Sequence, residues 1–206
     1  MHKRNLFLIL SLAILFLAPT KAFACACCAE PGQYVIRVSK PDKLKFDLFA
    51  AMKFANKVSL FQTAAGNDSI KGLGEIANGY VLSNGSFAGR QWTLNFKDDK
   101  GKTGSLTLPL PATVLEYKVD VRDKKGGEPL LYKELRFQGN AGNAAGFFKN
   151  NFVPRLTKYF FVLQGRGNAC DNAEDYTHWR VEVTSGEKVR YAFFGEMATG
   201  RKNNAE

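Results

Sequence analysis

The sequence predicts an all-β protein: a single antiparallel β-barrel of about 8–10 strands or, as the alternative, a β-sandwich, behind a cleaved signal peptide. Three observations carry this prediction. Apolar and polar residues alternate with a period of two through most of the chain, as in half-buried strands. Short segments rich in Gly, Asn and Asp separate the alternating runs. The 17 phenylalanines supply enough large apolar side chains for a substantial core.

The first 24 residues have the organisation of a signal peptide. A basic start at residues 2–4 precedes an apolar run of 13 residues, Leu6 to Ala18, and Ala22-Phe23-Ala24 offers a peptidase site. At ~1.5 Å per residue this run is too short to span a ~30 Å hydrocarbon core. We therefore expect cleavage after Ala24, export to a periplasm or secretion from the cell, and no transmembrane segment in the mature chain.

The mature chain divides into three expected regions. Residues 25–33 form a cysteine-rich N-terminus, residues 34–199 form the β-barrel domain, and residues 200–206 form a polar tail that we expect to be disordered. No internal repeat or interdomain linker interrupts the barrel region.

The clearest alternation runs from Lys43 to Ala55, where every even position from Leu44 to Phe54 is apolar. This pattern predicts one long strand, and a strand of that length usually curves as barrel strands do. A helix over Leu48 to Lys57 is the alternative, because alanine is frequent there.

Further strands are predicted wherever apolar residues recur at alternate positions. In the segment after residue 114, Leu115, Tyr117 and Val119 are expected to face the core, with the intervening charged residues facing away. The other predicted strands are Tyr80 to Ser83, Tyr159 to Leu163 and those with the apolar rows Tyr34/Ile36/Val38, Trp92/Leu94/Phe96, Leu106/Leu108/Leu110, Leu131/Leu135/Phe137, Trp179/Val181/Val183 and Val189/Tyr191/Phe193.

Turns are predicted at Asn84-Gly85, at residues 98–101 and at Ser185-Gly186. Residues 138–154 are long and rich in Gly and Asn, and they carry three phenylalanines. Such a segment is either a lid over a cavity or a plug in an open barrel end. The three phenylalanines are Phe147, Phe148 and Phe152.

Consecutive hairpins with one apolar face are similar in pattern to lipocalin/calycin-like barrels, which is an analogy of architecture alone. On this basis the sequence predicts an exported, non-catalytic binding protein that holds an apolar or amphipathic small ligand in a β-barrel. The predicted ligand-binding residues are Phe46, Leu48, Met52, Phe54, Trp92 and Phe96.

The four cysteines allow three interpretations. Export favours disulfides, with Cys27, Cys28 and Cys170 as candidates, and a bond to Cys170 would tie the N-terminus to the domain. Alternatively, Cys25, Cys27, Cys28 and Cys170 could bind copper, since clustered thiolates without histidine suit Cu(I). No other cofactor is expected. In the third interpretation Cys25 carries a lipid anchor, although Phe23 fits a lipoprotein signal poorly.

Charge and composition limit the remaining function classes. Without Lys3, Arg4 and Lys21 the net charge falls from +10 to +7, and the basic residues are scattered rather than clustered. We therefore expect no nucleic-acid partner, and we expect an anionic envelope component as a possible counterpart. A structural or envelope-interaction domain without a small ligand is the remaining alternative.

Catalysis is not expected from this sequence. The mature chain has one histidine, His178, which with Cys170 offers a conceivable nucleophile–base pair. A strand histidine beside Trp179 is the simpler interpretation. Asp171, Glu174 and Asp175 do not match a calcium loop and are expected to lie in a solvated loop.

Overall fold

A computed structural model describes residues 31–62, 70–74, 77–123, 130–186 and 189–200. In this part of the chain eleven antiparallel strands form one curled, barrel-like sheet, accompanied by a single α-helix. The predicted all-β fold is confirmed, and the strands belong to one sheet rather than to the two sheets of a sandwich. The predicted signal peptide, Cys25, Cys27, Cys28 and residues 201–206 of the tail lie outside the described residues.

The elements follow one another through short connections. The strands and the helix are β1 Tyr34–Ser39, α1 Lys43–Ala51, β2 Phe54–Gln62, β3 Tyr80–Ala88, β4 Gln91–Asp98, β5 Thr103–Pro109, β6 Val114–Asp120, β7 Leu131–Asn140, β8 Asn143–Gly146, β9 Thr157–Gly167, β10 Tyr176–Ser185 and β11 Val189–Met197. Two short 3-10 turns cover Lys149–Asn151 and Ala173–Asp175.

The strand order is β1-β6-β7-β9-β10-β11-β2-β3-β4-β5-β8, so β2 pairs with β11 across the sequence. Strand β8 continues β7 after only two residues and pairs with β5. In the same way β6 follows β5 closely and pairs with β7. The wall therefore curls into a half-barrel, and β1 forms one of its edges on β6.

The predicted long strand over Lys43 to Ala55 is wrong: Lys43–Ala51 is the helix α1, and β2 begins at Phe54. The helix begins where the Asp42 carboxylate accepts a hydrogen bond from the Lys45 backbone N–H at 3.0 Å, as an N-cap does. Its buried residues are the neighbours Leu48 and Phe49, which no two-residue period places on one face. The sequence signal for this helix was Pro41-Asp42 at its start, since aspartate is a favoured N-cap residue.

The predicted orientation of β6 is also wrong. Glu116 and Asp120 are buried, whereas Leu115, Tyr117 and Val119 are only half-buried on the other face. Strand β1 behaves in the same way, because all its large apolar side chains are exposed. The row Tyr34, Ile36 and Val38 lies beside Val119, Tyr117 and Leu115 in the ladder, so the apolar rows of both strands share the outward face.

Two of the three predicted turns are confirmed. The hairpin at residues 98–101 has Gly101 at φ 78° and two backbone N–H groups bonded to Asp98, and the turn after Ser185 has Gly186 at φ 62°. Asn84-Gly85 is instead a strand irregularity inside β3, whose turn comes at Gly89-Arg90. Gly85 is required there because a Cβ would lie 2.5 Å from the Phe54 ring.

The core fills the inside of the curled sheet. Trp92, Phe137, Phe161 and Trp179 are all at most 1% exposed and lie in ring contact with one another or with Phe54. Aromatic groups of this size contribute most of the apolar area that folding removes from water. No helix among the described residues has the length and hydrophobicity needed to cross a membrane.

Candidate functional site

The six sequence-predicted ligand residues come from α1, its C-cap Met52, β2 and β4, and they lie in or against one core cluster. Trp92 and Phe96 are 0% exposed, and Met52 is 1% exposed. Phe46 and Phe54 are half-buried and pack on that cluster, as the buried Leu48 also does. The structure therefore brings this set together, and its members are packed on other side chains.

One end of the barrel-like sheet is covered by α1. The Phe49 ring, 0% exposed, lies 5.3 Å from the rings of both Phe87 and Phe137 and 5.7 Å from Trp92. At the other end Phe148 lies 5.4 Å from Phe96 and stacks on Tyr191 at 5.8 Å.

The segment 138–154 supplies that second covering. Phe147 and Phe148 are buried, and Phe152 packs on the core from a half-buried position. This packing agrees with the interpretation of the segment as a plug rather than as a lid over a cavity. Part of it is regular structure, since β7 reaches Asn140 and β8 spans Asn143–Gly146.

A buried ionic cluster lies beneath the loop between β9 and β10. It consists of three lysines and three carboxylates: Lys45, Lys118, Lys133, Glu116, Asp171 and Asp175. Lys133 Nζ lies 2.7 Å from Asp175 Oδ2, and both side chains are 0% exposed. Asp171 accepts from Lys45 at 2.6 Å and from Lys118 at 2.8 Å. Glu116, Lys133 and Asp175 are buried and the other three are partly exposed; their burial is tolerable because each sign is matched by the other.

The pKa values in this cluster follow from burial and pairing. Burial alone would raise the pKa of Asp171, but hydrogen bonds from Lys118 and Lys45 outweigh it and lower the pKa to about 2. Burial lowers the pKa of Lys133, and the neighbouring Asp175 opposes that change. Burial and the nearby Asp171 carboxylate raise the pKa of Tyr176 well above its usual value.

The cluster fixes the backbone on which Cys170 sits. Lys118 Nζ donates to the Ala169 carbonyl at 3.2 Å, and Lys133 Nζ donates to the Cys170 carbonyl. Cys170 is half-buried, and it is a disulfide cysteine rather than a free thiol. It is the one cysteine within the described ranges. The ammonium groups of Lys118 and Lys133 thus hold the backbone carbonyls of Ala169 and Cys170 in place.

The acidic loop that we expected to be solvated is mostly buried. Asp175 is 0% exposed and Asp171 is half-buried, while Glu174 alone is exposed. A signal for this burial was present in the sequence: Lys133 occupies an inward position between Leu131 and Leu135, in the apolar row of β7. A lysine at such a position requires a buried carboxylate partner.

His178 lies exposed on β10, and its Nδ1 is 2.9 Å from the Thr177 hydroxyl oxygen. Among the described residues no group of three or more His, Cys, Asp or Glu side chains could hold a metal ion. The copper prediction for Cys25, Cys27, Cys28 and Cys170 is untested, because three of its four ligands are not described.

Three adjoining grooves lie on the outer face of the sheet, on residues that no sequence pattern had indicated as a site. None of them is lined by the six predicted ligand residues. The first and largest groove, of about 460 Å³, lies over β7, β9 and β10. The second, of about 410 Å³, lies over β9, β10, β11 and β2. The third, of about 250 Å³, lies between these two. The third groove shares Glu182 with the first, and Arg180 and Phe194 with the second. We call this surface the outer grooves.

Three phenylalanines from three different strands line the outer grooves: Phe160 of β9, Phe194 of β11 and Phe61 of β2. Phe160 is half-buried, whereas Phe194 is 39% exposed and Phe61 is 57% exposed. The ladder places Phe160 and Phe61 in one cross-strand row, with Glu182 and Ala192 between them. At ~4.8 Å per strand the two rings stand on backbones roughly 14 Å apart.

The charges in the outer grooves are predominantly basic. The Glu182 carboxylate forms salt bridges with two guanidinium groups, that of Arg180 at 3.4 Å and that of Arg190 at 3.1 Å. The Arg180 guanidinium also lies 5.7 Å from the centroid of the Phe160 ring. Lys57, Lys158 and Glu196 complete the charged lining, which gives four basic groups against two acids.

No family model, no curated protein and no solved structure matches this chain.

Proposed function

We propose that this protein is an exported, non-catalytic binding domain whose ligand is an extended anionic polysaccharide of the cell envelope. The observation that carries the proposal is the set of outer grooves, in which three phenylalanines stand among four basic and two acidic side chains. Export itself is supported by the sequence of residues 1–24.

The lining of the outer grooves matches the chemistry of charged sugars. An aromatic ring offers a flat apolar surface to the C–H face of a pyranose. Amides and hydroxyls such as Gln138, Asn140 and Thr184 can hydrogen-bond its hydroxyl groups. Arginine can bind a carboxylate, sulfate or phosphate in a bidentate manner. Adjoining open grooves suit a polymer with repeated units better than one compact molecule.

The packing of the inner face supports a ligand on the outside. A small apolar ligand inside the sheet would have to displace side chains such as Trp92 and Phe137, both 0% exposed. Truncating one such ring to alanine costs about 3–5 kcal/mol, which indicates how much packing a ligand would have to replace. Uptake of a hydrophobic dye that a fatty acid displaces would favour the interior ligand over this proposal.

The N-terminal cysteines are proposed as a staple for the domain. A disulfide between Cys170 and one of Cys25, Cys27 and Cys28 would close a loop of about 140 residues, which the chain-entropy model values at roughly 4–5 kcal/mol. The disulfide state of Cys170 supports this assignment over a four-thiolate copper site. A lipid on Cys25 is compatible with the staple.

Binding is tested with the mature chain, residues 25–206, by titration calorimetry against alginate as an anionic polysaccharide and dextran as a neutral one. The expected result is binding of alginate that weakens with added salt and no binding of dextran. Equal binding of both, or no binding of either, would overturn the proposal. Binding of phosphatidylglycerol vesicles alone would replace the polysaccharide by a lipid surface.

Matched variants locate the site. Arg190→Gln, whose side chain is 61% exposed, should weaken alginate binding several-fold, while Lys100→Gln in the exposed β4–β5 turn should not. Phe61→Ala should weaken alginate binding by about tenfold, because the loss of a ring contact of about 1.4 kcal/mol corresponds to a tenfold change in affinity. Leu44→Ala is the apolar control, because Leu44 is 77% exposed and outside the grooves. Unchanged binding in Arg190→Gln and Phe61→Ala would place the site elsewhere.

A further inference from the structure

The edge strand β1 is the long open edge of the described sheet. It pairs with β6 alone, whereas the opposite edge strand, β8, has four residues and continues directly from β7. Its four large apolar side chains are highly exposed: Tyr34 64%, Val35 54%, Ile36 58% and Val38 62%. Sheet edges are usually shortened, charged or covered, because an apolar open edge pairs with other strands.

The hydrogen-bond pattern identifies which backbone groups of β1 have no strand partner within the described sheet. The Asp120 backbone N–H donates to the Gln33 carbonyl at 3.0 Å, which makes Gln33 a residue that bonds toward β6. Bonded and non-bonded positions alternate in an antiparallel pair. The N–H and C=O groups of Tyr34, Ile36 and Val38 therefore point away from β6, toward the open edge. They are three donors and three acceptors in a single row.

From this edge we infer that two copies of the protein associate by antiparallel β1–β1 pairing centred on Ile36. In this register Ile36 lies opposite Ile36 of the second copy, and Tyr34 lies opposite Val38. All six free backbone groups of each strand then find partners. Cross-strand pairs of aromatic and β-branched residues are those that stabilise sheets.

The charges of β1 agree with a second copy as the partner. Arg37 is its single charged residue. In the Ile36-centred register Arg37 lies opposite Val35 of the other copy, so no arginine directly faces another arginine. The apolar row Tyr34, Ile36 and Val38 would also become continuous across both copies. A six-residue contact is smaller than a standard interface of about 1,600 Å², so the dimer should be weak, with dissociation at roughly 10–100 µM.

Sedimentation velocity of the mature chain, residues 25–206, tests this inference from about 1 µM to 500 µM, bracketing the expected dissociation constant. The expected result is a monomer–dimer equilibrium that Ile36→Lys abolishes and that Leu44→Lys leaves unchanged. Leu44 is the matched control because it is exposed but off the edge. A wild-type monomer at all concentrations, or an Ile36→Lys variant that dimerises like the wild type, would overturn it.

Amide exchange followed by NMR gives a second, independent measurement. Raising the concentration should slow exchange at Tyr34, Ile36 and Val38, whereas Val35 and Arg37 are already bonded to β6 and should change little. Equal slowing at all five amides, or slowing at none of the first three, would contradict pairing through this edge. The polysaccharide titration does not enter this test, so either proposal can fail alone.

Discussion

Lys133 and Asp175 form a salt bridge of 2.7 Å between two side chains that are both 0% exposed. The lysine lies in the inward row of β7, and the aspartate lies at the end of the short 3-10 turn before β10. The pair joins the wall of the sheet to the loop that carries Cys170. Its charges are shielded from water, so the two side chains depend on each other.

Removing one member of this pair should be costly. Lys133→Met leaves the Asp175 carboxylate buried without its main cation, and we expect the free energy of unfolding to fall by about 3–5 kcal/mol. Urea denaturation at pH 7 measures the change. Lys43→Met is the control, because its salt bridge with Asp47 is exposed and should contribute nothing measurable. The double variant Lys133→Met with Asp175→Leu should recover most of the loss; a further loss would contradict the pairing.

Stability should depend on acid pH through Asp171. Its pKa is about 2 in the folded protein against an ordinary value of 3.8, so the folded state holds its proton less tightly than the unfolded state. The contribution of this carboxylate, roughly 2 kcal/mol, is complete above about pH 5 and is lost as the pH falls from about 4 to 2. Asp171→Asn should therefore destabilise the protein at pH 6 and hardly at pH 2. Urea midpoints across this range measure it, and a difference independent of pH would contradict the assignment.

The helix α1 should depend on one buried ring. Phe49→Ala removes contacts with Phe87, Trp92 and Phe137 and should lower the free energy of unfolding by about 3–5 kcal/mol. Guanidinium unfolding followed by tryptophan fluorescence would report this loss. Leu44→Ala, on the same helix but 77% exposed, should change the midpoint little. Equal effects of the two substitutions would mean that α1 does not pack on the core.

Close backbone approach should make Gly165 intolerant of a side chain. A Cβ at this position would lie 1.8 Å from the Asp175 backbone oxygen, which cannot rotate away. Gly165→Ala should cost about 1–3 kcal/mol, and a domain of this size loses about 2–4 °C in Tm for each kcal/mol. Gly74→Ala is the matched control, since its Cβ would lie 3.6 Å from the Tyr80 hydroxyl. Calorimetry that finds equal Tm values for the two variants would argue against this packing.

The disulfide state of Cys170 predicts its reactivity. In the denatured but unreduced mature protein, iodoacetamide should leave Cys170 unlabelled, and prior reduction should expose it to labelling. Peptide mass spectrometry identifies both the site and its partner cysteine. Cys170→Ser should lower stability by about 2–5 kcal/mol. Labelling without reduction, together with uptake of copper, would instead support the thiolate site.

The sequence predicted the architecture well because alternation and turn chemistry are local properties. The row Trp92, Leu94 and Phe96 is fully buried on β4, as expected. The tight turn after Asp98 follows from its own residues, with Gly101 at a positive φ. Such features need no knowledge of the rest of the chain.

The candidate site was less accessible from the sequence. The outer grooves join residues of β2, β7, β9, β10 and β11, and their composition becomes visible only once the strand register is known. Phe61 and Phe194 resemble core residues in the sequence, yet they face outward.

By itself the sequence determined that the chain forms strands, where several of them turn, and that large aromatic side chains supply the core. The tertiary structure decided which face of each strand is inside. Alternating side chains define two faces of a strand, and the buried face is the one that other elements of the fold cover. It therefore decided that Glu116 and Lys118 of β6 point inward, toward Lys45 and Asp171, while Tyr117 points out. It also decided that Lys43–Ala51 is helical, because Phe49 gains its burial only by contact with β3, β4 and β7.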